Sequence, residues 1–454
     1  MNRFTWLIAL FALASCASYE ARPVDPADMA KQSNDLDWND TQTRIALERL
    51  KNTRLFDSDE VVFSPEDGLN FEETFVAALA MSPLLKRRRE EIKGRESMLL
   101  SVSGISSIRL TGNDDGPSDA RRGKVGLLFD VWSLFGTGKY SAAYDQAIAQ
   151  ISKSVARLHE SEWKLFCELK AGFLEVERIQ AENKAITKLR NEFKAGIHSI
   201  ANSLHSAGRI SELDWNGVRV VDDRLTIHME ELRTRRETAV NHLKEIVGLR
   251  PEHEVEFIVS GTGPESSAWN EEEIRTSAID RRWDLQILLA EYEAIEQKVR
   301  YEVATQYPDL RIGPLFRFGS WGSVFGGALS LDLPDPGSAS ARIDAADAER
   351  SMSRHLIEER LLTIQHQIRN NLLALRQKTS TASTWKNRTL PRVAETSEIS
   401  RSILKLKPDA IGVVVHSFVD LFNATEEYWK QEQDRRDALI GLERAAGYPL
   451  FQLD

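Results

Sequence analysis

The chain has 454 residues, of which 42% are hydrophobic, and it carries a formal net charge of -10. This length allows a sizeable core and two or three ordinary domains. Because the acidic balance leaves no broad basic face to neutralise phosphates, we expect no nucleic acid partner.

The N-terminus has the pattern of a signal peptide over residues 1–15. Arg3 supplies the positive start, residues 4–13 form an apolar run, and small residues follow. That run is too short to span a bilayer as a mature helix. The four residues 13–16, Leu-Ala-Ser-Cys, resemble a bacterial lipobox, which implies that Cys16 is lipidated, as by palmitate, and becomes the first mature residue. The alternative is an ordinary secretory signal with an incidental cysteine.

Two further features of the chain concern membrane and redox chemistry. If Cys16 is acylated, Cys167 is the only cysteine left, and no intramolecular disulfide can form. Cys167 lies in an apolar helical stretch, which favours a buried and unreactive thiol. No run of about 18 apolar residues follows the signal, so we expect no helical membrane span, and membrane insertion would need strands.

The polar residues 16–65 are predicted to form an extended, lipid-anchored arm. The first half of the structured chain is then predicted over residues 66–249. It begins with a helix over 71–102, followed by a strand that starts near Ile108, a Gly-rich loop, and a second strand from Lys124. The first half therefore opens as helix, strand, strand.

Residues 138–205 contain no proline, and their apolar side chains recur every three or four positions. This spacing predicts one helix of nearly seventy residues, or roughly 100 Å, which is too long for a compact domain. It indicates coiled-coil packing along the length. A returning helix is predicted from Ser211 to Val247, ending at Gly248 as a C-terminal glycine.

The second half repeats this order of elements. Residues 250–270 are rich in turn-forming residues and are predicted to be a linker, and residues 271–454 form the second unit. The segment that starts at Ala78 aligns with one that starts at Ala278, so 278 minus 78 gives a separation of 200 positions. The long helix is predicted over 339–407 with a distortion at Pro391. The returning helix is predicted over 415–446, ending at Gly447 as a C-terminal glycine.

The strands of the second half have one apolar face. Leu310, Ile312 and Phe316 share a face, and Phe325 and Leu329 share a face of the return strand. Strands of about ten residues with this alternation suit a membrane β-barrel, although a soluble half-buried sheet has the same pattern. Four strands cannot close such a barrel within one chain, whereas strands from several subunits could.

This order of elements, with several local segments, resembles the TolC-like outer-membrane efflux family over essentially the whole mature chain. Residues 132–139, Trp-Ser-Leu-Phe-Gly-Thr-Gly-Lys, resemble its strand-to-helix corner, and residues 331–337 resemble a second copy. The resemblance implies a mainly α fold with a small β part. It implies a homotrimer whose twelve strands form one shared barrel that is continued by a periplasmic helical barrel.

The resemblance also implies functional sites. The segment 207–214 resembles the family's first periplasmic tip, so an adaptor-facing role is implied for four of its residues: Gly208, Arg209, Ser211 and Asp214. A plain connection between helices with a serine cap is the alternative. The second tip, over 406–412, departs from the family pattern. Asp420 and Asn423 resemble the ring that lines the periplasmic aperture, or else belong to an ordinary solvated helix turn.

No motif for chemistry is present in the sequence. The histidines have no metal-ligand spacing, and Gly136-Thr137-Gly138-Lys139 lacks the first glycine of a phosphate loop. We therefore expect no enzyme activity, no metal and no cofactor. The predicted function is a passive, lipid-anchored exit duct in the outer membrane that works with a periplasmic adaptor and an inner-membrane transporter. The alternative is a lipid-anchored coiled-coil scaffold without a pore.

Overall fold

The computed structural model describes residues 24–26, 44–48, 68–103, 109–114, 123–130, 138–259, 269–319, 322–333, 335–407 and 410–453. The chain divides into two compact units, Met1–Thr41 and Gln42–Asp454, and every element named below belongs to the second. The predicted signal peptide, Cys16, most of the arm and the corner at 132–137 lie outside the described residues.

The described part is mainly helical, with four strands. Its elements in chain order are α1 (Phe71–Met81), α2 (Pro83–Ser103), β1 (Arg109–Asp114), β2 (Gly123–Asp130), α3 (Lys139–Phe193), α4 (Ser199–Ser206), α5 (Glu212–Val247), α6 (Glu271–Arg281), α7 (Trp283–Ala304), β3 (Asp309–Gly319), β4 (Gly322–Asp332), α8 (Pro336–Thr384), α9 (Leu390–Leu406) and α10 (Ile411–Ala446). The predicted fold class, mainly α with a small β part, is confirmed.

The first helical segment is interrupted, and the prediction of a single helix over 71–102 was wrong at Ser82. Pro83 cannot donate a backbone hydrogen bond, and it disfavours the helical conformation of the residue before it. Ser82 accordingly has φ -53° and ψ 120°. Helix α1 begins with Asn70, whose side chain accepts from the Glu73 N–H while Glu73 accepts from the Asn70 N–H.

All four strands form one antiparallel sheet in the order β1-β2-β3-β4. Phe316 faces Phe325 across the β3–β4 pair, and Ile312 faces Leu329. These side chains lie on the apolar face that the sequence predicts. Phe325 is 68% exposed and Leu329 is 71% exposed, so no part of the chain that the structure describes covers this face. The sheet is open, with β1 and β4 at its edges.

The two very long helices are present, and each contains one π-helical turn. Helix α3 continues through Lys194–His198 into α4, and α8 continues through Trp385–Thr389 into α9. The second turn has a physical cause in Pro391, which cannot donate to the carbonyl of residue 387 and whose ring crowds that carbonyl. The predicted distortion at Pro391 is confirmed. None of the described helices combines the length and the apolarity needed to cross a membrane.

Helix packing encloses several buried clusters. Helix α3 is the common support, because α2, α5, α7 and α10 all pack along it. Helix α1 buries Phe71 and Phe75 against Phe166 of α3 in edge-to-face contacts, with ring centroids 5.3 and 5.4 Å apart. A second cluster lies where α3, α5, α9 and α10 approach the tips, and a third joins α6, α8 and α10.

Both returning helices end at a glycine in the left-handed conformation, as predicted. Gly248 has φ +92° and Gly447 has φ +81°. A Cβ on Gly447 would lie 2.6 Å from Cγ and 3.2 Å from Cα of Arg282, so the position admits glycine alone without a shift. These two residues fix where the chain leaves α5 and α10.

Candidate aperture and docking sites

The first tip, defined as residues 207–214, is a tight turn between α4 and α5. Gly208 adopts φ +66°, and its N–H donates to the His205 carbonyl over 2.9 Å. The Arg209 N–H donates to the Leu204 carbonyl over 2.8 Å, which satisfies the last carbonyls of α4. Gly208 and Arg209 are both exposed to solvent.

Helix α5 starts from this turn with a side-chain cap. The Ser211 hydroxyl oxygen accepts from the Asp214 N–H over 3.1 Å, and the hydroxyl donates to an Asp214 carboxylate oxygen over 2.6 Å. His205 Nε2 lies 2.8 Å from Glu212, and the His205 ring stacks on Trp215. The tip is therefore a rigid connection that presents a backbone loop and a carboxylate.

Helix α5 also carries an exposed apolar stripe that the sequence analysis did not single out. Leu213, Val220 and Ile227 recur every seven residues, and all three are exposed. The spacing of seven puts them on one face of the helix and is the sequence signal that could have identified them. Apolar side chains in such a row suit contact with another helix.

Asp420 and Asn423, which we define as the aperture segment, lie one turn apart on the same face of α10. Both are exposed, and Asp420 is 3.7 Å from His416 of the preceding turn. The opposite face of α10 buries Phe418 and Phe422 in the cluster near the tips. The structure therefore turns both predicted aperture residues away from the core of this chain.

The first tip and the start of α10 are brought together. A Cβ on Gly412 would lie 3.8 Å from Oδ1 of Asp214. Asp420 lies eight residues further along α10 than Gly412, which corresponds to about 12 Å of helix. The predicted tip and aperture residues are thus neighbouring sites on adjacent helices, although they do not form one cluster. Within the second tip, the described part begins α10 at Ile411, and the Ala410 N–H donates to the Lys407 carbonyl.

A buried histidine tethers the aperture segment to its supporting helices. His228 of α5 lies edge-on to Phe422, with ring centroids 5.4 Å apart. Its Nε2 is 3.3 Å from Glu182 of α3, and its Nδ1 is 3.2 Å from Glu426 of α10. His228 belongs to no motif recognised in the sequence. The sequence could have indicated that His228 is buried, because it lies three residues after Leu225 and four before Leu232 in a series of buried apolar residues.

The pKa values of the two carboxylates of this tether are shifted in opposite directions. Burial acts to raise the pKa of Glu182, but the hydrogen bond with His228 and the ion pair with Arg178 outweigh it, and the pKa lies below its usual value. Burial raises the pKa of Glu426, and the positive charge nearby offsets this only in part. Glu182 therefore loses its proton more readily than a free glutamate, and Glu426 binds a proton more readily.

The described residues contain no group of three or more His, Cys, Asp or Glu side chains placed to hold a metal ion. Cys167 is buried, and burial raises the pKa of its thiol well above the usual range, which agrees with the unreactive role predicted for it.

Several solved membrane proteins, among them outer-membrane channels, share this fold. The chain aligns with the transmembrane channel protein CusC at a TM-score of 0.70 and 12% identity, over 87% of this chain and 97% of that one. For the outer-membrane protein VceC of Vibrio cholerae the TM-score is 0.68 at 14% identity, over 84% and 97%. For the outer-membrane channel CmeC of Campylobacter jejuni it is 0.65 at 14% identity, over 86% and 90%.

At these identities the alignments establish the fold, and the resemblance to the TolC-like outer-membrane efflux channels is confirmed at that level. No protein-family model matches the sequence, and no curated protein matches it.

Proposed function

We propose that this protein is the exit duct of a tripartite efflux or type I secretion system. In this proposal, substrates pass through it without chemical change, from a periplasmic adaptor and an inner-membrane transporter to the exterior. The observation that carries the proposal is the open four-stranded sheet with an uncovered apolar face, joined directly to helices of about 100 Å. The fold shared with outer-membrane channels supports it.

The open sheet supports a homotrimer. A sheet with two free edges and an exposed apolar face needs both further strands and an apolar surrounding. Three copies would supply twelve strands, enough to close a barrel in a membrane, with Phe325 and Leu329 facing lipid. The stripe of Leu213, Val220 and Ile227 would then be covered by a neighbouring helix of the helical barrel.

We also propose that residues 66–249 and 271–454 are two copies of one structural unit, joined by the linker 250–270. Helices α1 and α6 each have 11 residues, and their starts, Phe71 and Glu271, are separated by 271 minus 71, or 200 positions. Strands β1 and β3 start at Arg109 and Asp309, again 200 positions apart. Each unit then contributes five of the described helices and two of the described strands to one pseudo-symmetric duct.

The sites follow from this arrangement. Asp420 and Asn423 would line the periplasmic aperture as rings of three side chains, because both are exposed on one face of α10. Gly208, Arg209, Ser211 and Asp214 would meet the adaptor at the lower end of the duct. Cys16 would carry the lipid that anchors the arm, residues 16–65, to the outer membrane after removal of residues 1–15.

The test is single-channel recording on the full-length protein, purified in detergent and reconstituted into planar bilayers, with its subunit number measured by native mass spectrometry. We expect a trimer with cation-preferring conductance. Asp420→Asn should lower that preference, whereas Glu237→Gln, at an exposed carboxylate on α5, should not. A closed aperture gives low conductance, so the recordings include urea pulses that loosen it. A trimer that never conducts, or a monomer, contradicts the proposal.

A scaffold function is the second candidate, and the long helices with their regular apolar spacing favour it equally. In that case the sheet would be a soluble dimer or trimer contact, and nothing would pass through. The extraction behaviour separates the two. A version whose residues 1–16 are replaced by a secretory signal that is cleaved without lipidation should remain in the outer-membrane fraction if the sheet is inserted. It should be found in the soluble periplasmic fraction if the lipid is the sole attachment.

A further inference from the structure

A cavity of about 940 Å³ lies between α3, α8 and α10, beside the π-helical turn Trp385–Thr389. The aperture segment and the first tip do not contribute to it. Sites for small molecules have volumes of about 300–1,000 Å³ and commonly form between the helices of a bundle. Size and position therefore both suit a small ligand. We refer to it as the wall cavity.

Three aromatic side chains line the wall cavity: Trp269, Tyr428 and Trp429. The rings of Tyr428 and Trp429 have centroids 5.0 Å apart. The Nε1 atom of Trp429 is buried, and it meets no acceptor in the part of the chain that the structure describes. A buried donor without an acceptor costs free energy, which a ligand bringing an acceptor would recover.

The charges along the wall cavity are unbalanced. Glu432 accepts from Arg435 over 2.6 Å and from Arg436 over 3.0 Å, and Arg436 also pairs with Glu177 over 2.5 Å. These pairs neutralise both carboxylates of the lining. Arg376, which also lines the cavity, forms no ion pair within the described residues. The surplus is positive, so the cavity selects for an anion.

The π-helical turn contributes a further cation. Lys386 and Asn387 belong to that turn, and both line the cavity. Pro391 removes one backbone hydrogen bond at this point and crowds the carbonyl of Asn387, which favours the distortion. Single π-helical turns within long helices are frequently found at functional sites.

We propose that the wall cavity binds a small organic anion with a flat or apolar body, such as an aromatic sulfonate or carboxylate. The body contacts the rings of Trp269, Tyr428 and Trp429, and the anionic group lies toward Arg376 and Lys386. This site is in the wall of the molecule and is independent of conduction, so it extends beyond the duct function proposed above.

The test uses naphthalene-2-sulfonate as the probe and the full-length protein in dodecyl maltoside, labelled with 5-fluorotryptophan. The fluorine resonances are assigned with Trp429→Phe, Trp269→Phe and Trp215→Phe. We expect the Trp429 and Trp269 resonances to shift saturably with the probe, while that of Trp215, at the first tip, does not. If one assignment variant fails to fold, the other cavity tryptophan gives the same readout.

Charge variants then test recognition of the anion. Arg376→Gln should weaken naphthalene-2-sulfonate binding about fivefold and leave binding of the neutral naphthalene-2-sulfonamide unchanged. Arg354→Gln is the matched control, because Arg354 is an exposed arginine of the same helix outside the cavity. The proposal is overturned if the cavity tryptophans do not shift at probe saturation. Equal affinity in the Arg376 and Arg354 variants would overturn it as well.

Discussion

Removal of one member of the fully buried ion pair between Lys170 of α3 and Glu443 of α10 should be costly. Both side chains are 0% exposed, and Lys170 Nζ lies 2.7 Å from Glu443 Oε1. Lys170 also donates to the Phe451 carbonyl and lies over the Phe451 ring, while Glu443 accepts from the Leu450 N–H over 2.9 Å. The pair therefore fastens the segment after α10 onto α3.

The expected change in the free energy of unfolding depends on which buried polar groups each substitution leaves without a partner. Lys170→Met leaves a buried carboxylate without its cation, which costs about 3–5 kcal/mol. Adding Glu443→Gln removes that charge and keeps an acceptor for Leu450, so only the Phe451 carbonyl loses its donor, at about 1–3 kcal/mol. The double variant should therefore be more stable than Lys170→Met alone by about 2 kcal/mol. Lys188→Met, at an 80% exposed lysine of the same helix, should change stability by less than about 0.5 kcal/mol.

The pH dependence gives a second check. Burial raises the pKa of Glu443, and the loss of Lys170 removes the main group that opposes this rise. A carboxyl whose folded-state pKa is raised contributes stability at low pH that is lost as pH rises through that pKa. The deficit of Lys170→Met should therefore be larger at pH 8 than at pH 5.

The assay is urea unfolding in dodecyl maltoside, followed by ellipticity at 222 nm. It compares the wild type with Lys170→Met, Glu443→Gln, their double variant and the control Lys188→Met. The reasoning is refuted if Lys170→Met behaves like Lys188→Met. It is also refuted if Glu443→Gln further destabilises the Lys170→Met protein.

Three further predictions use the same assay or the bilayer recordings. Gly447→Ala should destabilise the protein by about 1–3 kcal/mol, because the new Cβ would meet Arg282. Gly217→Ala is the control: a Cβ there meets no atom within 4 Å, so the substitution should be neutral or stabilise the protein by up to about 1 kcal/mol. Because the pKa of Glu182 is held below its usual value, its stabilising effect is fully present above the ordinary glutamate pKa of about 4.3 and is lost as pH falls through the lowered pKa. The difference in urea midpoint between wild type and Glu182→Gln should therefore narrow between about pH 6 and 3.5, and a constant difference would contradict this. Asn423→Asp should raise cation preference in single-channel recordings, and an unchanged reversal potential would remove this residue from the aperture.

Much of the fold could be predicted because it depends on local periodicity. The spacing of apolar residues at three and four positions predicted the long helices, and alternation in β3 and β4 predicted their apolar face. That this face is exposed came from the structure. Gly248 and Gly447 were predicted as helix ends because left-handed backbone favours glycine. The break at Ser82 was not predicted, because the apolar pattern continues across it. Pro83, which causes the break, is nevertheless visible in the sequence.

The candidate sites were predicted less completely, since each depends on several distant segments. Asp420 and Asn423 could be placed on a helix from the sequence, and the structure adds that their face of α10 is exposed. The tether through His228 joins α3, α5 and α10, and no local pattern indicates which carboxylates surround a histidine. The wall cavity likewise takes residues from α3, α8 and α10.

The sequence by itself determined the order of elements, the amphipathic faces and the positions where helices end, because these follow from side-chain spacing and backbone conformation at single residues. Only the tertiary structure decided which charges are buried together. Lys170 and Glu443 are separated by 273 positions. In its own sequence context, each would be interpreted as an ordinary solvent-exposed residue of a helix. Their pairing depends on how α3 and α10 pack, since burial makes a charge costly unless an opposite charge lies within hydrogen-bonding distance.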